Sequence, residues 1–162
     1  GQFPSTHTFR VSDRPSFLIV GDTNDDGNQD LVVGSELSES VAILLGTGVQ
    51  LAEPTTNHLS GTAKPSAAED FDRDGQMDLV NPDESGGAIQ ILPGVSEGHF
   101  GKALHVTVGR DPHALVTADF DHDGRIDIAV AHRSSQTIAI LLNRSPAPTP
   151  APRHGGRASA RP

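Results

Sequence analysis

One nonapeptide, met three times, constrains this chain more than any other feature. Its copies are Asp22-Thr-Asn-Asp-Asp-Gly-Asn-Gln-Asp30, Asp70-Phe-Asp-Arg-Asp-Gly-Gln-Met-Asp78 and Asp119-Phe-Asp-His-Asp-Gly-Arg-Ile-Asp127. Oxygen-bearing side chains stand at positions 1, 3, 5 and 9: Asp22, Asn24, Asp26 and Asp30; Asp70, Asp72, Asp74 and Asp78; Asp119, Asp121, Asp123 and Asp127. Position 7 (Asn28, Gln76, Arg125) offers a further oxygen through its backbone carbonyl. A hard cation such as Ca²⁺ takes several oxygens on a tightly wound loop, whereas carboxylates crowded without one repel each other. The glycine at position 6 (Gly27, Gly75, Gly124) is expected to let the backbone turn where a Cβ would clash. One such match is an ordinary acidic turn on pattern alone. Three in register, beginning at 22, 70 and 119 and so 48 and 49 residues apart, point to a repeated cation-binding unit.

The residues between the loops repeat as well. Short apolar runs flank each loop: 17–20 and 31–33 around the first, 67–69 and 79–80 around the second, 114–118 and 128–131 around the third. A polar stretch follows each, then a further run at 41–45, 88–92 or 137–142. Two more candidate strands, 6–11 and 104–108, precede the first and third loops, and Gly1-Gln-Phe3 aligns with Gly98-His-Phe100. Leu51 takes the place that Phe3 and Phe100 hold elsewhere. β-Branched residues and turn signals about every ten residues make an all-β pattern, and a period near 48 suggests propeller blades. The 17 Gly and 12 Pro disfavour long helices.

Composition narrows the function classes. The net charge of the 162 residues is −9, and all 21 acidic residues lie before Asn143. Eleven of them are proposed ligands, so the acidity is mostly local to the loops. No basic stripe of the kind a nucleic-acid backbone requires is present. The longest apolar runs hold five residues, far short of a membrane span, and 1–10 lacks the apolar core of a signal peptide. With no Cys, neither disulfides nor thiolate metal sites are possible. Residues 144–162 are Pro, Ala, Ser, Gly and Arg-rich and read as a disordered tail or linker. Its four Arg match something acidic, the body of the chain included.

The segments Val116-Thr-Ala-Asp-Phe-Asp-His-Asp-Gly-Arg-Ile-Asp-Ile-Ala-Val130 and Thr137-Ile-Ala-Ile-Leu-Leu-Asn143 resemble FG-GAP (VCBS-type) repeats, the blades of integrin α propellers and of many bacterial secreted proteins. Phe100-Gly101 is similar to the Phe-Gly element of that family, from which Leu51 and Phe3-Pro4 depart. The resemblance covers residues 1–143. It implies four-stranded blades with Ca²⁺ in the loop between first and second strands, held by the twelve side chains named above. Asn24 replaces a carboxylate, so the first site is expected to be the weakest.

The expected fold is therefore all-β: a partial β-propeller of three four-stranded blades over 1–143, either a fragment of a larger propeller or an arc that self-assembles. Residues 6–11 are expected to supply the outer strand of the third blade if the chain closes on itself. The expected function is a calcium-binding, extracellular interaction scaffold, secreted or at a cell surface, with a protein or glycan ligand and with further blades or copies of itself as partners. Neither nucleic acid binding nor membrane insertion is expected. Position 12 of each loop is Val33, Asn81 or Val130, not the Glu of an EF-hand. The eight His show no zinc spacing, and no catalytic motif appears. The alternatives are a propeller part of a carbohydrate-active lyase or hydrolase, or a structural spacer. A ligand surface is expected opposite the acidic loops, at 12–14, 34–40, 82–87, 110–113 and 132–136, with Arg110, His113 and Arg133 as its candidate contacts.

Overall fold

The structure, a computed structural model, describes residues 6–11, 13–35, 40–58, 67–96 and 98–146. Phe3, Ser12, residues 36–39 of the expected ligand surface, and the tail beyond 146 lie outside the described residues. Every regular element among the described residues is a strand.

The first sheet is an antiparallel meander of β1 (Pro15–Gly21), β2 (Asp30–Ser35), β3 (Ser40–Leu44) and β4 (Thr55–His58). The second contains β5 (Ala67–Glu69), β6 (Asp78–Asp83) and β7 (Ala88–Leu92). A small hairpin, β8 (Gly94–Ser96) with β9 (His99–Phe100), intervenes before β10 (Leu104–Thr107) returns to pair with β7. The third sheet has three strands: β11 (Pro112–Ala118), β12 (Asp127–His132) and β13 (Thr137–Leu141). Each acidic loop joins the first two strands of its sheet, as the repeat pattern predicts.

Residues 104–107 precede the third loop in sequence and complete the second sheet, with Leu104 opposite Ile91 and Val106 opposite Ile89. One expectation about outer strands is corrected. Residues 6–11 belong to no strand and do not join the third sheet. Phe9 and Val11 instead lie on the first sheet, against Val33, Ala42 and Leu44. Only 12–14 separate this segment from β1, a span of about 10 Å, while the third sheet lies beyond the second. Short tether and apolar side chains keep it where it is.

The sheets pack face to face. Val32, Val41 and Ile43 of the first bury against Leu79 and Leu92 of the second. Val80 and Ile89 of the second bury against Leu115, Ile128 and Val130 of the third. This is the strand alternation read out in three dimensions: neighbouring residues point to opposite faces, so each sheet has a leading face towards its successor and a trailing face towards its predecessor. Leu51 and Phe100 hold equivalent places, as the repeat alignment predicts. Leu51 bridges Gly46, and Phe100 pairs with Gly94.

Candidate metal centres

The three loops are wound by the same hydrogen bonds. At position 1, one carboxylate oxygen accepts the N–H of position 5 and the other accepts the N–H of the glycine: 3.1 and 2.7 Å at Asp22, 3.1 and 3.0 Å at Asp70, 3.1 and 2.9 Å at Asp119. At position 5, Oδ1 of Asp26, Asp74 and Asp123 accepts the N–H of position 7 at 2.8, 2.8 and 3.0 Å. Position 4 is left-handed in every copy, with φ of 56° at Asp25, 65° at Arg73 and 59° at His122. Position 6 is too, at 86°, 91° and 80°. This corrects the reason for the glycine. A Cβ on Gly27 would meet nothing within 4 Å, so the backbone angle and not crowding selects glycine there.

Position 9 plays a part that the spacing alone does not reveal. Asp30, Asp78 and Asp127 are almost fully buried. In each, Oδ2 accepts the N–H of position 2, from Thr23, Phe71 or Phe120 at 2.7–3.1 Å. Oδ1 accepts an N–H sixteen residues further on, from Gly46, Gly94 or Asn143 at 2.7–2.9 Å. One carboxylate thus ties the mouth of its loop to the end of the third strand. At Gly46 and Gly94 a Cβ would come within 2.3 and 2.6 Å of the position-8 carbonyls of Gln29 and Met77. Asn143, the third counterpart, instead donates its side-chain amide to that carbonyl, of Ile126, and to Phe71 O. The constant offset of sixteen was the available sequence signal.

Among the described residues, two trios bring carboxylate oxygens within 4.8 Å of one another: Asp70, Asp72 and Asp78, and Asp119, Asp121 and Asp127. These are positions 1, 3 and 9. Asp74 and Asp123, at position 5, stand outside the trios. In the first loop Asn24 replaces the position-3 carboxylate, which leaves Asp22 and Asp30 with an amide.

Electrostatics separate the loops further. In the second, burial first, then the charges of Asp74 and Asp70, push Asp72 above the ordinary carboxylate range. Burial pushes Asp78 up to about 6 against the pull of the Gly94 and Phe71 N–H groups, with Asp72 and Asp70 adding to the rise. In the first loop, the Asn28 N–H and the Asn24 amide lower Asp26. In the third, burial raises Asp123 but is outweighed by the backbone and guanidinium of Arg125 and by Arg144, so the net direction is down. Arg125 reaches Asp123 Oδ2 at 2.8 Å, and Arg144 spans Asp123 at 2.8 Å and Asp121 at 3.1 Å. The acidic body thus does attract the first arginine of the tail segment.

The family model for the FG-GAP-like repeat matches residues 22–81 and again 70–130. The chain belongs to the FG-GAP-like repeat family. Each match runs from the start of one acidic loop into the strand after the next, so it leaves out the first strand of one sheet and takes in the first loop of the following one. No curated protein matches the chain significantly. The donor set of the FG-GAP-like loops fits a hard divalent cation: it is all oxygen, mutually close in two copies, and raised in proton affinity in the second loop, where no positive group attends it among the described residues.

Opposite the loops, the candidate ligand surface is ordered by its own contacts where it is described. Asp83 accepts from Ser85 Oγ and Gly86 N, and Gly87 O accepts from Val108 and Gly109. Asp111 O accepts from Arg133 N, His132 Nδ1 meets Arg110 O at 3.0 Å, and His113 lies 3.4 Å from Glu84.

Proposed function

We propose that the three sheets are β-propeller blades whose acidic loops bind Ca²⁺, and that the segment works outside the cell as a non-catalytic interaction scaffold for a protein or glycan ligand. The observation that carries the reading is the second loop, where three carboxylates converge with no cationic side chain paired to them among the described residues. A divalent cation there relieves the repulsion and fixes the β5–β6 hairpin, while the position-7 carbonyls complete the cage. The predicted order of affinity is second loop, then third, where Arg125 and Arg144 already offset charge, then first, where Asn24 supplies no charge. FG-GAP-like repeats are typical of extracellular proteins, and weak extracellular sites of about 10⁻⁴–10⁻³ M suit millimolar calcium. No helix among the described residues is long and apolar enough to cross a membrane.

Thermal melting with calcium and with a chelator tests the cation. At about 10–100 times Kd each occupied loop adds about 1.4–2.7 kcal/mol to stability, so chelation is expected to lower Tm by several degrees. Asp72→Asn should remove the second loop's share of that response and Asn24→Asp should enlarge the first loop's. A Tm indifferent to calcium in the parent chain overturns the reading. For the ligand surface, replacing Arg110, His113 and Arg133 together is expected to weaken capture on a protein or glycan array while calcium titration is unchanged.

A further inference from the structure

The repeat alignment assigns every leading-face residue a counterpart 48 or 49 positions away. Ile19, Val32, Val41 and Ile43 of the first sheet correspond to Ala67, Val80, Ile89 and Ile91 of the second, and to Val116, Ala129, Ile138 and Ile140 of the third. The first two sets are packed against a following sheet. In the third set the large side chains are bare, with Ile138 72% exposed, Val116 62% and Ile140 58%, and Ala129 is half-buried. The same sheet also lacks the outer strand that the other two possess, so the far edge of β13 is unpaired among the described strands.

The chain carries the missing parts at its other end. By the same alignment, residues 6–11 are the counterpart of 103–108, which hold the outer strand β10. Val106 and Val108 lie on the trailing face of the third sheet, in the cluster with Leu115, Ile128 and Val130. Phe9 and Val11 lie on the trailing face of the first sheet in the same manner, against Val33, Ala42 and Leu44. So 6–11 already occupies the place of an outer strand belonging to a sheet that would precede the first. The seat is half made. Leu18 and Val20 remain 68% and 62% exposed, and a cleft of about 350 Å³ runs between Phe9, Leu18 and Leu44.

We infer that a second copy of this chain covers the bare face: its first sheet docks on Val116, Ile138 and Ile140, and its residues 6–11 add to β13 as the fourth strand of the third sheet. The register follows from β10 on β7, with His7 opposite Ile140, Thr8 opposite Ala139 and Phe9 opposite Ile138. Strand addition of this kind satisfies the open edge and buries the face in one step. The exchange is reciprocal in a pair, and two copies make six sheets, inside the range at which propellers close. A relay along the loops fits the same contact. A Cβ on Gly75 would lie 3.6 Å from Asp25, and Arg73 donates to Gly124 O, so position 4 of each loop leans on position 6 of the next. His122 has no next loop within the chain, and Gly27 has no previous one. The inference rests on the blade reading of the sheets and is independent of the cation.

The chain has no Cys, so cross-linking is clean to read. Antiparallel partners bring Cα atoms to about 4.5–5.5 Å, within disulfide reach. Thr8→Cys and Ala139→Cys chains, mixed in calcium and oxidised, are expected to yield a covalent species of twice the 17.0 kDa chain, which neither gives alone. Sedimentation of the unmodified chain should show the same dimer, and Ile138→Asp, at an exposed site, should return it to monomer with its strand content intact. A monomer at every concentration, a disulfide closing within one Thr8→Cys/Ala139→Cys chain, or a dimer indifferent to Ile138→Asp each overturns the inference. None of these readouts depends on the calcium-dependent melting, so the two readings fail separately.

Discussion

At the scale of residues, position 9 separates folding from binding. Asp78 is a candidate ligand, yet both of its oxygens already accept backbone N–H groups, from Phe71 and Gly94. Each buried donor left without an acceptor costs about 1–3 kcal/mol, so Asp78→Ala is expected to lose at least about 2 kcal/mol in urea unfolding even with chelator present. Asp72→Ala, exposed and mainly facing the other carboxylates, should change chelated stability little and calcium binding greatly. Arg144 makes the opposite case. Its guanidinium holds Asp121 and Asp123 from an exposed position, so it competes with a cation for the same oxygens. Exposed ion pairs are weak, and Arg144→Ala is expected to tighten calcium binding at the third loop by about two- to five-fold. Calorimetric titration of the variant checks it, and unchanged affinity shows that the guanidinium yields without competing.

The elements show which parts of the structure the sequence makes legible. The strands flanking each loop could be read because apolar β-branched residues mark them and the repeat supplies three trials of one pattern. The loops could be read because side-chain oxygens recur at fixed positions. Outer strands could not be assigned so well. β4 is Thr-Thr-Asn-His and carries no apolar signal, and β10 sits beside the third loop in sequence but pairs with β7. Strand membership there is decided by which edge is free, a property of the fold and not of the segment. The ion pairs of Arg144 were legible only as a charge match between tail and body. The turn from β6 to β7 offers a test at this scale. The Ser85 hydroxyl first, then the Gly86 N–H, hold the Asp83 carboxyl below the ordinary carboxylate range despite some burial. A depressed folded pKa gives stability that is present above the unfolded value of 3.8 and lost as pH falls through the folded one. Protection of the Gly86 and Gly87 amides, taken relative to the intrinsic exchange rate at each pH, is therefore expected to fall below about pH 4, and Asp83→Asn should flatten that acid response. Acid-insensitive protection in the parent chain would show that Asp83 does not hold the turn.

For the molecule as a whole, the repeat makes one side chain its own control. Ile89 and Ile138 lie 49 residues apart at the same place in successive sheets. Ile89 is fully buried between the second and third sheets, whereas Ile138 stands on the bare leading face. Truncating a buried isoleucine to alanine costs about 2–5 kcal/mol, while an exposed one far from other features changes stability by about 0.5 kcal/mol or less. In dilute protein Ile89→Ala should therefore lower Tm strongly and Ile138→Ala hardly at all. Raising the concentration changes the comparison, because association adds to stability by mass action only where the interface forms. If a second copy seats on the third sheet, the Tm of the parent chain rises with concentration and Ile138→Ala suppresses that rise, while Ile89→Ala stays low throughout. Melting across a hundred-fold concentration series distinguishes the two behaviours. A constant gap between Ile138→Ala and the parent across the series would mean that the face stays bare in solution.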